Sequence, residues 1–269
     1  MKRALLYAVL TAGGLVMLWP FLWMLSTACK DYASAGRPSL SVWPGMFHWQ
    51  NFPDTFRAAP FGRYFFNSFF VAGTVSLSVV LTSLMAGYAF ARLRFAGRGL
   101  FFALVLGSMM VPFEAVFVPN FVLVSRLGWY NTYAALIVPW CANAFSIFLM
   151  RQAFLSLPRD FYDAARIDGC GHLRFLFRIG APMVRPMVIT VALFAFLGSY
   201  NALLWPLVVT ADGSMRVVQV GLTTFNTDAG VRINLLMCAS TIVILPTVVL
   251  YFAAQRYFVE SALGAGIKA

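Results

Sequence analysis

The chain is 269 residues long, 61% hydrophobic and only 11% charged, with a mean hydropathy of +0.80. A soluble domain carries roughly half apolar residues, so a water-soluble globule is excluded and an integral membrane protein remains. The formal net charge of +11 raises nucleic-acid binding, but the placement of the charges turns that reading aside.

Ala4–Cys29, Tyr64–Ala91, Leu127–Met150, Pro186–Ala211 and Ile233–Gln255 carry no charge, and Gly99–Ser125 carries only Glu114. About 20 apolar residues cross a bilayer core of roughly 30 Å. The expected fold is therefore all-α, a single transmembrane domain over 1–269 with six spanning helices. Their approximate bounds are 4–28, 64–91, 99–124, 130–151, 186–210 and 233–255. With the N-terminus inside, the outer side receives Lys30, Arg37, Arg57, Arg63, Arg126, Arg216 and Arg232, leaving 13 of the 20 cations, Lys2, Arg256 and Lys268 among them, on the inner side. That bias follows the positive-inside rule, with both termini cytoplasmic. The basic balance is a topology signal, and no nucleic-acid partner is expected.

Span one follows Lys2-Arg3, and Trp19 and Trp23 mark its outer end, since tryptophan favours the membrane interface. Ser26-Thr27-Ala28-Cys29 faintly resembles a lipoprotein cleavage box, but the apolar run before it is too long for a signal peptide. Residues 28–62 form an external segment broken by Pro38, Pro44, Pro53 and Pro60. Its Trp43, Phe47, Trp49 and Phe52 either bury against the helix rims or pack on one another. Span two is rich in small residues (Ala72, Gly73, Ser76, Ser83, Gly87), which let helices approach closely in lipid.

Span three holds Glu114, about 15 residues in and so roughly 22 Å along the helix. A carboxylate at such depth faces protein or water. It either lines a solute pathway or pairs with Arg126 near the outer rim. Pro112 and Pro119 are expected to kink this helix. In span four, Asn143 is either a helix–helix hydrogen-bonding residue or a ligand contact. Between spans four and five, Leu157–Pro186 is the longest polar interruption, on the cytoplasmic side. Pro158 and Asp160 suit a helix start, Gly169 a left-handed helix stop, and a second helix is expected from His172 to Gly180, where Pro182 stops it. Arg174 and Arg178 share one face of it, with Phe175 on a neighbouring face, so that cations and aromatics are presented to a docking partner. Span five contains Tyr200, Asn201 and Trp205, which either serve a pathway, by hydrogen bonding and stacking on a sugar, or anchor the helix at the interface.

The four cysteines and two histidines have no metal or disulfide spacing, no catalytic constellation is present, and no G-x-x-x-x-G-K-[ST] phosphate loop occurs. No catalytic residue, no metal and no cofactor is assigned to this chain.

Asp163-Ala164-Ala165, Asp168-Gly169, Ile179 and Pro182 resemble the E-A-A-x-x-D-G…I-x-L-P loop of ABC import permeases, with Asp163, Cys170 and Ala181 departing from it. Gly87–Arg98 resembles the A-Y-A-F-A-R-L-R-F-x-G segment of carbohydrate-type permeases, Tyr200–Leu207 their W-N-x-x-x-x-P-L, and Gln255–Lys268 their terminal Q-R-Y-x-V segment. The resemblance runs from span two to the last residue. It implies a permease subunit of a sugar importer in a prokaryotic cell membrane, working with a homologous second permease, two ATP-binding subunits, an extracellular solute-binding protein and membrane lipid. ATP and Mg would be bound by the partner subunits. Asp163, Ala164, Ala165, Arg166, Asp168, Gly169, Arg174, Phe175, Arg178 and Pro182 would form the coupling element, and Glu114, Asn143, Tyr200, Asn201 and Trp205 the substrate pathway. The alternatives are a proton-coupled secondary transporter using Glu114 and a membrane scaffold that moves nothing.

Overall fold

The computed structural model describes residues 2–37, 43–227 and 230–266. Pro38, Asp228 and Lys268, and the side chains of Lys2, Ala254 and residues 256–266, lie outside that description. The chain order is α1 (Lys2–Ala28), α2 (Tyr32–Ala35), α3 (Asn51–Ala58), α4 (Phe61–Arg92), α5 (Arg98–Ser108), α6 (Phe113–Arg126) and α7 (Tyr133–Ile137), which continues as a 3-10 turn over Val138–Trp140. Then come α8 (Ala144–Ser156), α9 (Arg159–Ile167), α10 (His172–Phe175), a π-helical turn at Leu176–Gly180, α11 (Ala181–Met183), α12 (Arg185–Tyr200), α13 (Leu204–Val209), α14 (Val218–Leu222) and α15 (Ile233–Gly266). A two-residue antiparallel pairing, Asn226–Thr227 with Gly230–Val231, is the strand structure among the described residues.

Three helices are long and apolar enough to cross a bilayer unaided, and up to six spans result if each bent helix pair counts as one. α4 is the axis of the bundle, packed against α8 and α12, while α1 lies along α15. Small residues explain the tightness. The Ser76 hydroxyl donates to the Ala192 carbonyl at 2.7 Å, and a Cβ on Gly87 would stand 2.8 Å from the Met150 Cβ and 2.9 Å from the Arg151 nitrogen. At the opposite end of α4, Asn67 donates to the Ser214 and Arg216 carbonyls and accepts from the Tyr133 hydroxyl. The buried Asn51 amide donates to the Ala28 and Lys30 carbonyls at 2.8 Å each and accepts from Asn234, tying α3 to α1 and α15. Beside it, Trp43, Phe47, Trp49 and Phe52 pack ring on ring at 5.5–6.1 Å. Trp43 and Trp49 remain 72% and 64% exposed, so this segment is packed by its own aromatics.

Three expected spans are not single helices. Instead of one kinked helix over 99–124, α5 and α6 meet at 97°. Pro112 supplies no N–H and sits in extended backbone (ψ 147°), so the chain leaves the helix altogether. The 130–151 span bends by 43° between Trp140 and Ala144. The 186–210 span stops at Tyr200 and restarts at Leu204 as α13. The last helix, conversely, runs on to Gly266, beyond the expected end at Gln255.

Candidate functional site

Two regions carry functional geometry, and α4 borders both. The first is a cavity of about 640 Å³ where three helix breaks converge. Phe113 follows the α5–α6 break, Ala142 and Asn143 form the break before α8, and Ala202 and Leu203 form the break between α12 and α13; all line it. Val71, Val75 and Val79 of α4 form the facing wall. Trp140 and Trp205 stand edge to face at 5.8 Å, with Phe113 5.7 Å from Trp140 and Phe117 5.9 Å from Trp205. Polar groups are sparse: Ser68, Asn143, Ser146 and Ser199, with no charged side chain in the lining. Such a surface suits stacking on an apolar face while a few hydroxyl and amide groups take hydrogen bonds.

The sequence-expected pathway residues divide here. Asn143 lines the cavity, and its Oδ1 caps α8 by accepting from the Ser146 N–H at 2.9 Å and the Ser146 hydroxyl at 3.1 Å. Its amide N–H groups make no other hydrogen bond among the described residues, so they remain available as donors. Trp205 also lines the cavity, its ring buried and its indole N–H donating to the Ala135 carbonyl at 2.9 Å. Tyr200 does not: it is 1% exposed and donates to the Val243 carbonyl at 3.0 Å, bolting α12 to α15. Asn201 is exposed outside the lining, where it accepts from Gln219. Glu114 is exposed in the first turn of α6 and absent from the lining. It makes no pair with Arg126, because the two stand at opposite ends of a 14-residue helix, roughly 18 Å apart. Phe113 and Trp140, which sequence reasoning passed over, carry a readable sign: each directly follows a proline at a helix break.

The second region lies roughly 14 Å further along α4, counted from Val79 to Tyr88 at 1.5 Å per residue. It is the helix–turn–helix of α9, α10, the π turn and α11. Gly169 ends α9 in the left-handed region (φ +74°), where a side chain is strained. The Arg166 guanidinium holds the turn by donating to the Cys170 carbonyl at 3.2 Å. The Tyr88 and Tyr162 hydroxyls lie 3.1 and 3.3 Å from His172 Nδ1. Arg92 donates to the Phe154 and Leu157 carbonyls at 2.7 and 2.5 Å, capping the end of α8. The segment Gly87–Arg98 thus forms the seat of the loop, a long-range relation that neither stretch shows by itself.

Phe175 corrects an expectation: it is 2% exposed, wedged 5.9 Å from Tyr88 and 5.2 Å from Tyr162, and so anchors the loop from within. Ala165, on the inner face of α9, is buried as well. Pro182 does not stop the second helix, which runs through α11 to Met183 and turns by 87° into α12. Asp163, Ala164, Arg166, Asp168, Gly169, Arg174, Arg178 and Pro182 are exposed. With them stand Phe161, Ile167, Leu173 and Phe177, at 52%, 87%, 64% and 45% exposure. Phe161 and Ile167 fall off the stripe of Tyr162 and Ala165 that α9 turns inward, which is their readable sign. Among the described residues, no three His, Cys, Asp or Glu side chains come together as metal ligands.

Helices broken around an uncharged cavity, coupled through one long helix to an exposed helix–turn–helix, define a transmembrane transport subunit. Residues 78–262 match the family described as binding-protein-dependent transport system inner membrane component, and the chain belongs to that family. It is 37% identical over 211 residues to the arabinooligosaccharides transport system permease protein AraQ of Halalkalibacterium halodurans, covering 78% of this chain and 76% of that one. It is 31% identical over 262 residues to the sn-glycerol-3-phosphate transport system permease protein UgpE of Yersinia enterocolitica, covering 94% and 93%. The fold matches a chain in the crystal structure of a bacterial ABC transporter involved in alginate import, with a TM-score of 0.86, 21% identity and 96% coverage of both chains. The protein is a multi-pass membrane permease subunit of an ABC importer, not an enzyme, and ATP hydrolysis belongs to separate subunits. The proton-coupled carrier built on Glu114 finds no support in these relatives, and that carboxylate stands outside the cavity.

Proposed function

We propose that the chain forms one transmembrane half of an ATP-driven importer for a neutral, polyhydroxylated solute such as an oligosaccharide. The observation that carries this reading is the convergence of three helix breaks on one aromatic, uncharged cavity. Broken helices at mid-membrane are where transporters bind their solute. The relatives are named for arabinooligosaccharides and for sn-glycerol-3-phosphate. A phosphate in a low-dielectric cavity calls for cationic partners, and this lining has none, which favours the sugar.

In this reading, residues 1–269 make one domain of six spans, with both termini and residues 157–186 in the cytoplasm. The cation distribution supports it. A homologous second permease completes the cavity, and a solute-binding protein delivers the solute from outside. Two ATPase subunits, which bind ATP and Mg, dock on the exposed side of α9–α11. There Asp163, Asp168, Arg174 and Arg178 meet charged groups, Phe161, Ile167, Leu173 and Phe177 fill the groove, and Gly169 permits the turn. Phe175, Ala165, Tyr88 and Arg92 fix the lever to α4. The test is uptake by the reconstituted transporter. Trp140→Ala should lower sugar uptake by more than tenfold with ATPase assembly retained, and glycerol phosphate should not compete. Unchanged uptake, or equal competition by the phosphate ester, would sink this reading.

A further inference from the structure

A second cavity, about 1000 Å³, opens between the α4–α5 turn and α9, apart from the solute cavity. Its lining brings together Arg92, Arg94, Arg98, Arg159 and Arg166 against one carboxylate, Asp163. None of these groups forms an ion pair among the described residues. Three guanidiniums are fixed by backbone carbonyls, Arg92 to Phe154 and Leu157, Arg98 to Leu93, and Arg166 to Cys170. Arg94 and Arg159 make no hydrogen bond among the described residues. Five like charges around one recess repel one another unless an anion enters, and arginine's planar fork matches phosphate oxygens.

The wall of this cavity points to the source of the anion. Phe95 and Leu155 line it and are 42% and 45% exposed. Beyond Arg98, α5 exposes Leu100, Phe101 and Leu104, at 65%, 54% and 61%. A free ion needs only the cationic recess, whereas a lipid needs both that recess and an apolar track leading away from it. The cavity stands at the C-terminal end of α4, a helix long and apolar enough to span a bilayer. We propose that it holds the phosphate headgroup of an anionic membrane lipid, with its acyl chains along α5. The lipid then bridges the α4–α5 turn and α9, so that lipid charge sets the stiffness of the loop. Only this consequence rests on the coupling reading; the binding site does not.

The test uses the full chain in nanodiscs of phosphatidylglycerol or phosphatidylcholine, with retained lipid measured by native mass spectrometry. The expected result is preferential retention of phosphatidylglycerol that weakens in high salt. The double variant Arg94→Gln/Arg159→Gln should lose about 25-fold in that retention, about fivefold for each cation removed. Arg94→Lys/Arg159→Lys should keep most of it. Both residues are free of internal bonds, so the variant should still fold. Equal retention of the two lipids, or a Gln variant that binds like the parent, overturns the proposal. So does inorganic phosphate alone occupying the site with no lipid preference, or a variant that loses only its ATPase partner. Preference retained while sealed vesicles of the two lipids, carrying the assembled transporter, take up solute equally would leave the site standing and remove only its effect on the loop.

Discussion

α4 presents two different environments along its length. From Ser68 to Val79 it borders the solute cavity, where its neighbours are helix ends, and from Gly87 to Arg92 it is clamped against α8 and the loop. At the clamped end backbones approach until no Cβ fits, and Tyr88, His172, Tyr162 and Phe175 interlock. At the cavity end the breaks leave space and few polar groups. A rigid joint transmits displacement and a compliant pocket admits a guest, which is the division of labour the proposed function asks of the two ends of α4.

The sharpest way to break this contrast is to place a side chain in each region. Gly87→Leu must displace the Met150 and Arg151 backbone and is expected to cost about 3 kcal/mol or more. Gly73, on the same helix, has nothing within 4 Å, and Gly73→Ala should cost nothing and gain up to about 1 kcal/mol from helix propensity. Thermal midpoints in detergent read both, and similar losses would show that α4 is not tightly clamped at one end alone. The smallest effect lies outside both regions. Ser214 donors, then the Asn131 amide, hold the Asp212 carboxyl below its ordinary value in the loop after α13. A lowered carboxyl favours the folded state above the ordinary carboxylate range and loses that contribution as pH falls through the depressed value. Asp212→Asn should therefore flatten a slight fall in midpoint on acidification; an unchanged slope would remove Asp212 as its source.

The two regions were unequally legible. The loop announces itself in contiguous residues, Asp163 to Gly169, because its helix stop needs glycine and its turn is local. That Arg92 and Tyr88 seat it was hidden, since those contacts join residues more than 60 positions apart. Phe175 was misread because its neighbours, Arg174 and Arg178, face outward while Tyr88 and Tyr162 draw the ring in. Around the cavity, Pro112 signalled irregularity. A proline in lipid either kinks or ends a helix depending on which neighbours take up the freed backbone groups, and that is a tertiary matter. Hence Asn143 and Trp205 reached the cavity, while Tyr200, a few residues earlier on a continuous helix, turned towards α15.

The central claim is that α9–α11 is a lever whose exposed face receives the ATPase while its buried face is fixed to α4. The most direct measurement is co-purification of the ATPase subunits with the double variant Ile167→Asp/Leu173→Asp, together with uptake and the thermal midpoint. Both residues are exposed, at 87% and 64%, so the chain should fold with its midpoint unchanged, release the ATPase and take up no solute. A variant that still recovers its ATPase and transports at the parent rate would contradict the account.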